Sequence, residues 1–146
     1  RLLLHLYAVE DAESLARSDR ICTALQLVNF WQDLSQDLAR GRRYLPDEDC
    51  RRHGIDPSDP IDAAPAKRMA LVREECAWTR ELMLQGAPLV HRVPGRAGWE
   101  LRAVVQGGLR VLDRIEALGF DTFVHRPKLG RWDLVPIAWR VLRMRM

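Results

Sequence analysis

The sequence predicts an all-α domain, and three observations carry the prediction. Apolar residues recur at helical spacing, most clearly over residues 24–38, 66–90 and 99–118. No stretch alternates apolar and polar residues with the period of a strand, and no internal repeat or low-complexity tract is present. Turn-forming residues gather near the ends of the periodic segments: Gly41 with Pro46, then Pro57, Pro60 and Pro65, then Val93-Pro94-Gly95, then Gly119. A chain of 146 residues that is 47% apolar and 29% charged can bury the core of one such domain.

Residues 1–8 read as the end of a helix. The chain opens on Arg1 inside the apolar run Leu2-Leu3-Leu4 with no capping residue before it, so the expectation is the later part of a longer polypeptide. Residues 10–13 read as an acidic turn, and Ser18 or Asp19 as the cap of a helix running to about Arg40. Gly41 suits the C-terminus of that helix. Asp47-Glu48-Asp49 opens a short helix ending near Gly54, where acids favour a helix N-terminus. Residues 54–65 form a loop. In the helix at 66–90 a wide stripe of Met69, Val72, Cys76, Met83 and Val90 faces inward, and Gly86 and Pro88 are placed to kink it. The helix at 99–118 has Leu101, Val104, Val111, Ile115 and Leu118 as its core stripe. Gly107-Gly108 in its middle offers either close helix contact or room for a long apolar ligand. A basic loop follows over 122–131. Residues 132–144 make an amphipathic segment interrupted by Pro136 and carrying Arg140 and Arg143, with Arg145 just beyond. That segment either docks with its basic face in water or makes peripheral contact with a membrane.

Composition narrows the function. A formal net charge of +3 without a dense basic cluster argues against nucleic acid as a partner. Cys22, Cys50 and Cys76 form no CxxC pair, which fits reduced thiols in the cytoplasm. His5, His53, His91 and His125 have no HExxH spacing. No run approaches the ~20 apolar residues of a membrane-spanning helix. The expected location is cytoplasmic, with the inner face of the membrane as the alternative for a tail that touches lipid.

One stretch carries chemistry. Gln26, Asn29, Asp33 and Asp37 fall at i, i+3, i+7 and i+11, within roughly 80° of arc on one helix. Leu27, Phe30, Trp31, Leu34 and Leu38 occupy the neighbouring arc. Asp33 and Asp37 are one turn apart and repel unless a cation sits between them. A hard divalent ion such as magnesium suits these oxygens and shares them readily with phosphate. Arg42 or Arg43, just past the helix, could grip phosphate oxygens. A solvated helix face with an incidental acidic pair is the alternative.

The run Gln26-Leu27-x-Asn29-x-x-x-Asp33-x-x-x-Asp37, followed by Gly41-Arg42-x-Tyr44-Leu45-Pro46, resembles the second aspartate-rich motif of the squalene/phytoene synthase family. The form Asn29-Phe30-Trp31-Gln32-Asp33 is similar to one branch, the bacterial hydroxysqualene synthases of hopanoid biosynthesis; most other members have arginine at the position of Gln32. The flanks RLLLHLY and HRVPGRAGWELRAVVQGGLRVLDRIEALGFDT resemble that branch too. The resemblance implies the C-terminal part of a class I terpenoid synthase helical bundle. Residues 1–146 would then be a partial domain whose N-terminal half, with the first aspartate-rich helix, is missing, and which alone is inactive. It implies Asp33, Asp37 and Asn29 as magnesium ligands. Gln26, Asn29 and Arg42 would hold an isoprenoid diphosphate, and Tyr44 would stand near the reacting end. Phe30 and Trp31 could face a carbocation, with core packing the better role for at least one. The implied reaction converts presqualene diphosphate to hydroxysqualene, with magnesium and without NADPH. Two other readings are a squalene or phytoene synthase joining two prenyl diphosphates head to head, and a non-catalytic helical binding module.

Overall fold

The structure, a computed structural model, describes residues 4, 5, 7 and 9–144. Its elements are helices α1 (Ala12–Ala39), α2 (Asp47–Arg52), α3 (Pro65–Gly86), α4 (Gly95–Ala117) and α5 (Leu134–Arg143), with 3-10 turns at Ala87–His91 and Arg131–Asp133. No strand occurs among the described residues. The helix end expected over residues 1–8 falls largely outside them; Leu4 and His5 are helical.

α1 starts earlier than its sequence suggested. Its cap is Asp11, whose Oδ1 accepts the Ser14 N–H at 3.0 Å, and Glu13 stands in the first turn. The acidic turn expected at 10–13 is therefore the helix start, and Ser18 is a buried interior residue. Acids beside the exposed N–H groups of a helix terminus account for this. At the other end Gly41 adopts φ +72. Its N–H reaches Leu38 O at 3.0 Å, and the Arg42 N–H reaches Asp37 O at 2.8 Å, the double bond of a Schellman cap. The cap folds residue 42 back onto the last turn of α1.

α1 and α3 run antiparallel. The Trp31 Nε1–H donates to Thr79 Oγ1 at 2.8 Å, and that hydroxyl donates to Glu75 O at 2.7 Å. Trp31 and Thr79 are both fully buried, so each polar atom is satisfied inside the core. Near the other end, a Cβ on Gly86 would lie 2.7 Å from Ile21 Cγ1 and 2.8 Å from Arg17 O, closer than atoms pack. Glycine there lets the two backbones meet. The kink expected at Gly86 and Pro88 takes the form of a change from α3 into the 3-10 turn Ala87–His91.

α4 packs against both helices. Of the Gly107-Gly108 pair, Gly108 is the contact position: a Cβ would sit 2.8 Å from Met83 Cε and 3.1 Å from Leu25 Cδ2, whereas nothing lies within 4 Å of one on Gly107. The buried stripe comprises Val105, Leu109, Leu112 and Ile115 with Val111, while Val104 and Leu118 are exposed. The inward face is thus turned by about one residue from the expected stripe. Trp31, Leu34, Leu71, Val72, Leu112 and Ile115 form one core, and Ile21, Ala24, Met83, Val90 and Val105 a second beside it.

α5 is attached by charge. Asp133, fully buried, accepts from Arg110 Nε at 2.8 Å, from Arg114 Nε and Nη2 at 2.9 Å, and from the Gly130 N–H at 2.7 Å. Arg140 donates to Asp113 at 2.7 Å. Pro136 does not interrupt this helix. It occupies the first turn, where an N–H has no helical acceptor. No helix among the described residues is long and apolar enough to cross a membrane.

Candidate functional site

The polar stripe of α1 lies on the helix's outer side. Gln26 and Asn29 are exposed, and Asp33 and Asp37 are half-buried. Eleven residues separate Gln26 from Asp37, a row of oxygens about 16 Å long. Each carboxylate has an arginine. Arg126 Nε lies 2.6 Å and Nη2 3.3 Å from the two oxygens of Asp33, a two-toothed grip. Arg42 Nη1 lies 3.8 Å from Asp37 Oδ1, brought there by the Gly41 cap. The hydrogen bond to Asp33 raises the Arg126 pKa further above its ordinary value. Arg43 points elsewhere, donating to Pro57 O at 3.2 Å and Ser58 O at 2.9 Å, so of the two arginines after the helix only Arg42 stays on the stripe.

The loop that brings Arg126 is pinned to α1 at two further points. Gln32 Nε2 donates to Pro127 O at 2.8 Å, and the Ser35 N–H reaches Thr122 O at 3.1 Å. At the start of the loop Gly119 and Phe120 both have positive φ, +64 and +65. Left-handed backbone is uncommon for phenylalanine. The Phe120 N–H bonds Ile115 O at 3.0 Å, closing α4 and turning the chain toward α1. Arg126 is the site residue that sequence reasoning missed. It is 93 residues from Asp33, and its only sequence signal is membership of a basic loop.

The aromatic residues divide. Trp31 belongs to the core. Phe30 stacks on Tyr44 with centroids 4.0 Å apart and planes 7° from parallel, and Tyr44 is partly exposed. This pair forms one edge of a groove of about 410 Å³ between α1, α2 and α3, which also holds Leu27, Trp78, Asp49 and Glu75. Glu75 is buried, and desolvation first, then its hydrogen bond to Asp49, pushes its pKa up to about 7. A larger groove of about 870 Å³ between α3 and α4 contains none of the stripe residues.

Chemically, the stripe offers two carboxylates, two amides and two guanidinium groups in one row. The donors available to a metal are oxygens, the set a hard divalent ion takes. No group of three or more His, Cys, Asp and Glu among the described residues is placed to hold an ion. Asp33, Asp37 and the Asn29 amide share one side of α1, and an ion held there would need further oxygens from phosphate, water or other protein groups. Cys50 and Cys76 are buried free thiols, and burial pushes Cys76 up to about 12, which removes it from nucleophilic chemistry.

Comparison with known proteins places the chain in a family. The family profile for squalene/phytoene synthase matches residues 1–133. The phytoene synthase of Thermus thermophilus is 33% identical over 137 residues, covering 90% of this chain and 46% of the relative. The presqualene diphosphate synthase of Rhodopseudomonas palustris is 35% identical over 141 residues, covering 94% and 50%. The crystal structure of the squalene synthase HpnC from Alicyclobacillus acidocaldarius superposes with a TM-score of 0.77 at 32% identity, covering 83% of this chain and 46% of that one. The chain spans half or less of the length of these relatives. With a family match across nearly its whole length, and the same all-helical fold, the chain belongs to the squalene/phytoene synthase family.

Proposed function

We propose that the α1 stripe and its two arginines form one wall of a prenyl-diphosphate site, and that the protein converts presqualene diphosphate to hydroxysqualene. The observation that carries the reading is the alternation of acid and base along one outward stripe, Asp33 with Arg126 and Asp37 with Arg42. Such a row suits a ligand that arrives with both cations and phosphate oxygens. Asp33, Asp37 and Asn29 would hold magnesium, which, when bound, neutralises the diphosphate and makes it a better leaving group. With Asp33 engaged by a cation, the Arg126 fork would be available to phosphate oxygens. Arg42 is placed to do the same at Asp37, with Gln26 lengthening the row.

Departure of diphosphate takes the carbon–oxygen electron pair with it and leaves a carbocation. The stacked faces of Phe30 and Tyr44 are placed at the edge of the neighbouring groove, where ring quadrupoles favour positive charge. Water adds to the cation, and its proton leaves to solvent or diphosphate, so the balance needs no reductant and no NADPH. The choice of branch rests on the Asn29-Phe30-Trp31-Gln32-Asp33 form. Gln32 donates its amide N–H to Pro127 O, and so positions the loop of Arg126 rather than supplying a charge.

The full gene product incubated with presqualene diphosphate and magnesium should give an alcohol, equally with and without NADPH, carrying oxygen from labelled water. Squalene formed only with NADPH would move the protein to the squalene synthase branch. Turnover of two prenyl diphosphates but not of presqualene diphosphate would favour the head-to-head synthases. No turnover of any of these would favour a non-catalytic helical module.

A further inference from the structure

The described chain ends on a helix whose outer face is apolar. In α5 the side turned to α4 carries Pro136, Ile137, Arg140 and Val141, all half-buried. The opposite side carries Leu134, Val135, Ala138, Trp139 and Leu142, all exposed, with Leu134, Val135 and Leu142 near 65% and Trp139 at 56%. At 100° per residue these five lie within about 140° of arc. Trp132, in the turn just ahead, is 74% exposed. Packed on the described helices alone, α5 leaves this face uncovered.

The charge around the face has one sign. From Leu134 to the end of the sequence there is no acidic residue. Asp133, the nearest acid, is sealed beneath the helix by Arg110 and Arg114. Arg143 stands over the Trp139 ring at 4.2 Å and Arg131 over the Trp132 ring at 5.7 Å, both exposed. Neither has a carboxylate partner among the described residues. Indole rings bordered by unpaired guanidinium groups suit the boundary between acyl chains and phosphate headgroups. The family match stops at residue 133, so α5 lies beyond the segment shared with the profile. A second copy of the chain is a poorer occupant. Ten residues make a helix about 15 Å long, too short for the ~800 Å² that each partner buries in a stable dimer.

We propose that Trp132 and the outward face of α5 form a docking surface for a bilayer containing anionic phospholipid. Leu134, Val135, Trp139 and Leu142 enter the interface, while Arg131 and Arg143 meet lipid phosphates. Apolar insertion and basic attraction are both needed, because either alone gives marginal, reversible binding.

The test is sedimentation of the full gene product with vesicles of phosphatidylcholine alone and of phosphatidylcholine mixed with phosphatidylglycerol. Binding is expected to the mixed vesicles and to fall steeply as salt is raised. Trp139→Ser with Leu142→Ser should weaken it about tenfold or more, as should Arg131→Ser with Arg143→Ser. The melting temperature of both double variants should match the parent. Equal binding to both vesicle types, or parental binding by the apolar double variant, would overturn the proposal. So would a lowered melting temperature or a changed oligomeric state in that variant, since the face would then be covered by protein.

Discussion

Replacing Glu75 with glutamine should flatten the pH dependence of stability. Glu75 is buried between α2 and α3 and hydrogen-bonds Asp49, and its pKa rises from 4.5 to about 7. Between those values the folded chain holds a proton that the unfolded chain releases. Stability from this group is therefore complete below about pH 4.5 and is lost as pH rises toward 7. At about 1.4 kcal/mol per pH unit the interval sets an upper bound of roughly 3 kcal/mol. Glutamine keeps the shape, offers an N–H to Asp49 and does not titrate. Urea denaturation of both proteins at about pH 5 and about pH 8 isolates the effect, because other titrations cancel in the difference. The variant should match the parent within ~1 kcal/mol in acid and exceed it by about 1–3 kcal/mol in base. Parallel pH profiles, or a variant equally destabilised at both values, would refute the reasoning.

Two further outcomes follow from packing. Gly86→Ala places a methyl group against Arg17 O and Ile21, and should cost about 1–3 kcal/mol by thermal or urea denaturation; Gly107→Ala, with open space around it, should be neutral or slightly stabilising. Asp133→Ala removes the acceptor shared by Arg110, Arg114 and the Gly130 N–H, and should increase amide hydrogen exchange in α5 well before that in α1.

What the sequence disclosed follows from how local each signal is. The α1 stripe is periodic within one helix, so Gln26, Asn29, Asp33 and Asp37 were visible as one face. Gly41 announced the cap that returns Arg42 to Asp37. The start of α1 was misplaced because Asp11 caps through a single hydrogen bond, whereas Ser18 and Asp19 looked equally suited. The inward face of α4 was turned by a residue because Val104 and Leu118 are apolar yet exposed. Arg126 and the Asp49–Glu75 pair depend on contacts between segments distant in sequence, and a single chain read in order has no periodic signal for them. The outward turn of α5 was equally hidden. Its apolar stripe is clear, but which way it faces is decided by Asp133 and Asp113 beneath it.

The most direct test of the proposed site is the effect of Asp33→Asn on turnover of presqualene diphosphate in magnesium, with far-UV circular dichroism as the control for folding. The change removes one negative charge and leaves the side-chain size almost unaltered. Arg126 keeps an acceptor in the amide oxygen, so the loop should remain docked. Loss of a charge that holds both a cation and an arginine in register should lower turnover about a hundredfold or more, with an unchanged spectrum. Near-parental turnover by a folded Asp33→Asn protein would contradict the assignment of the α1 stripe to diphosphate chemistry.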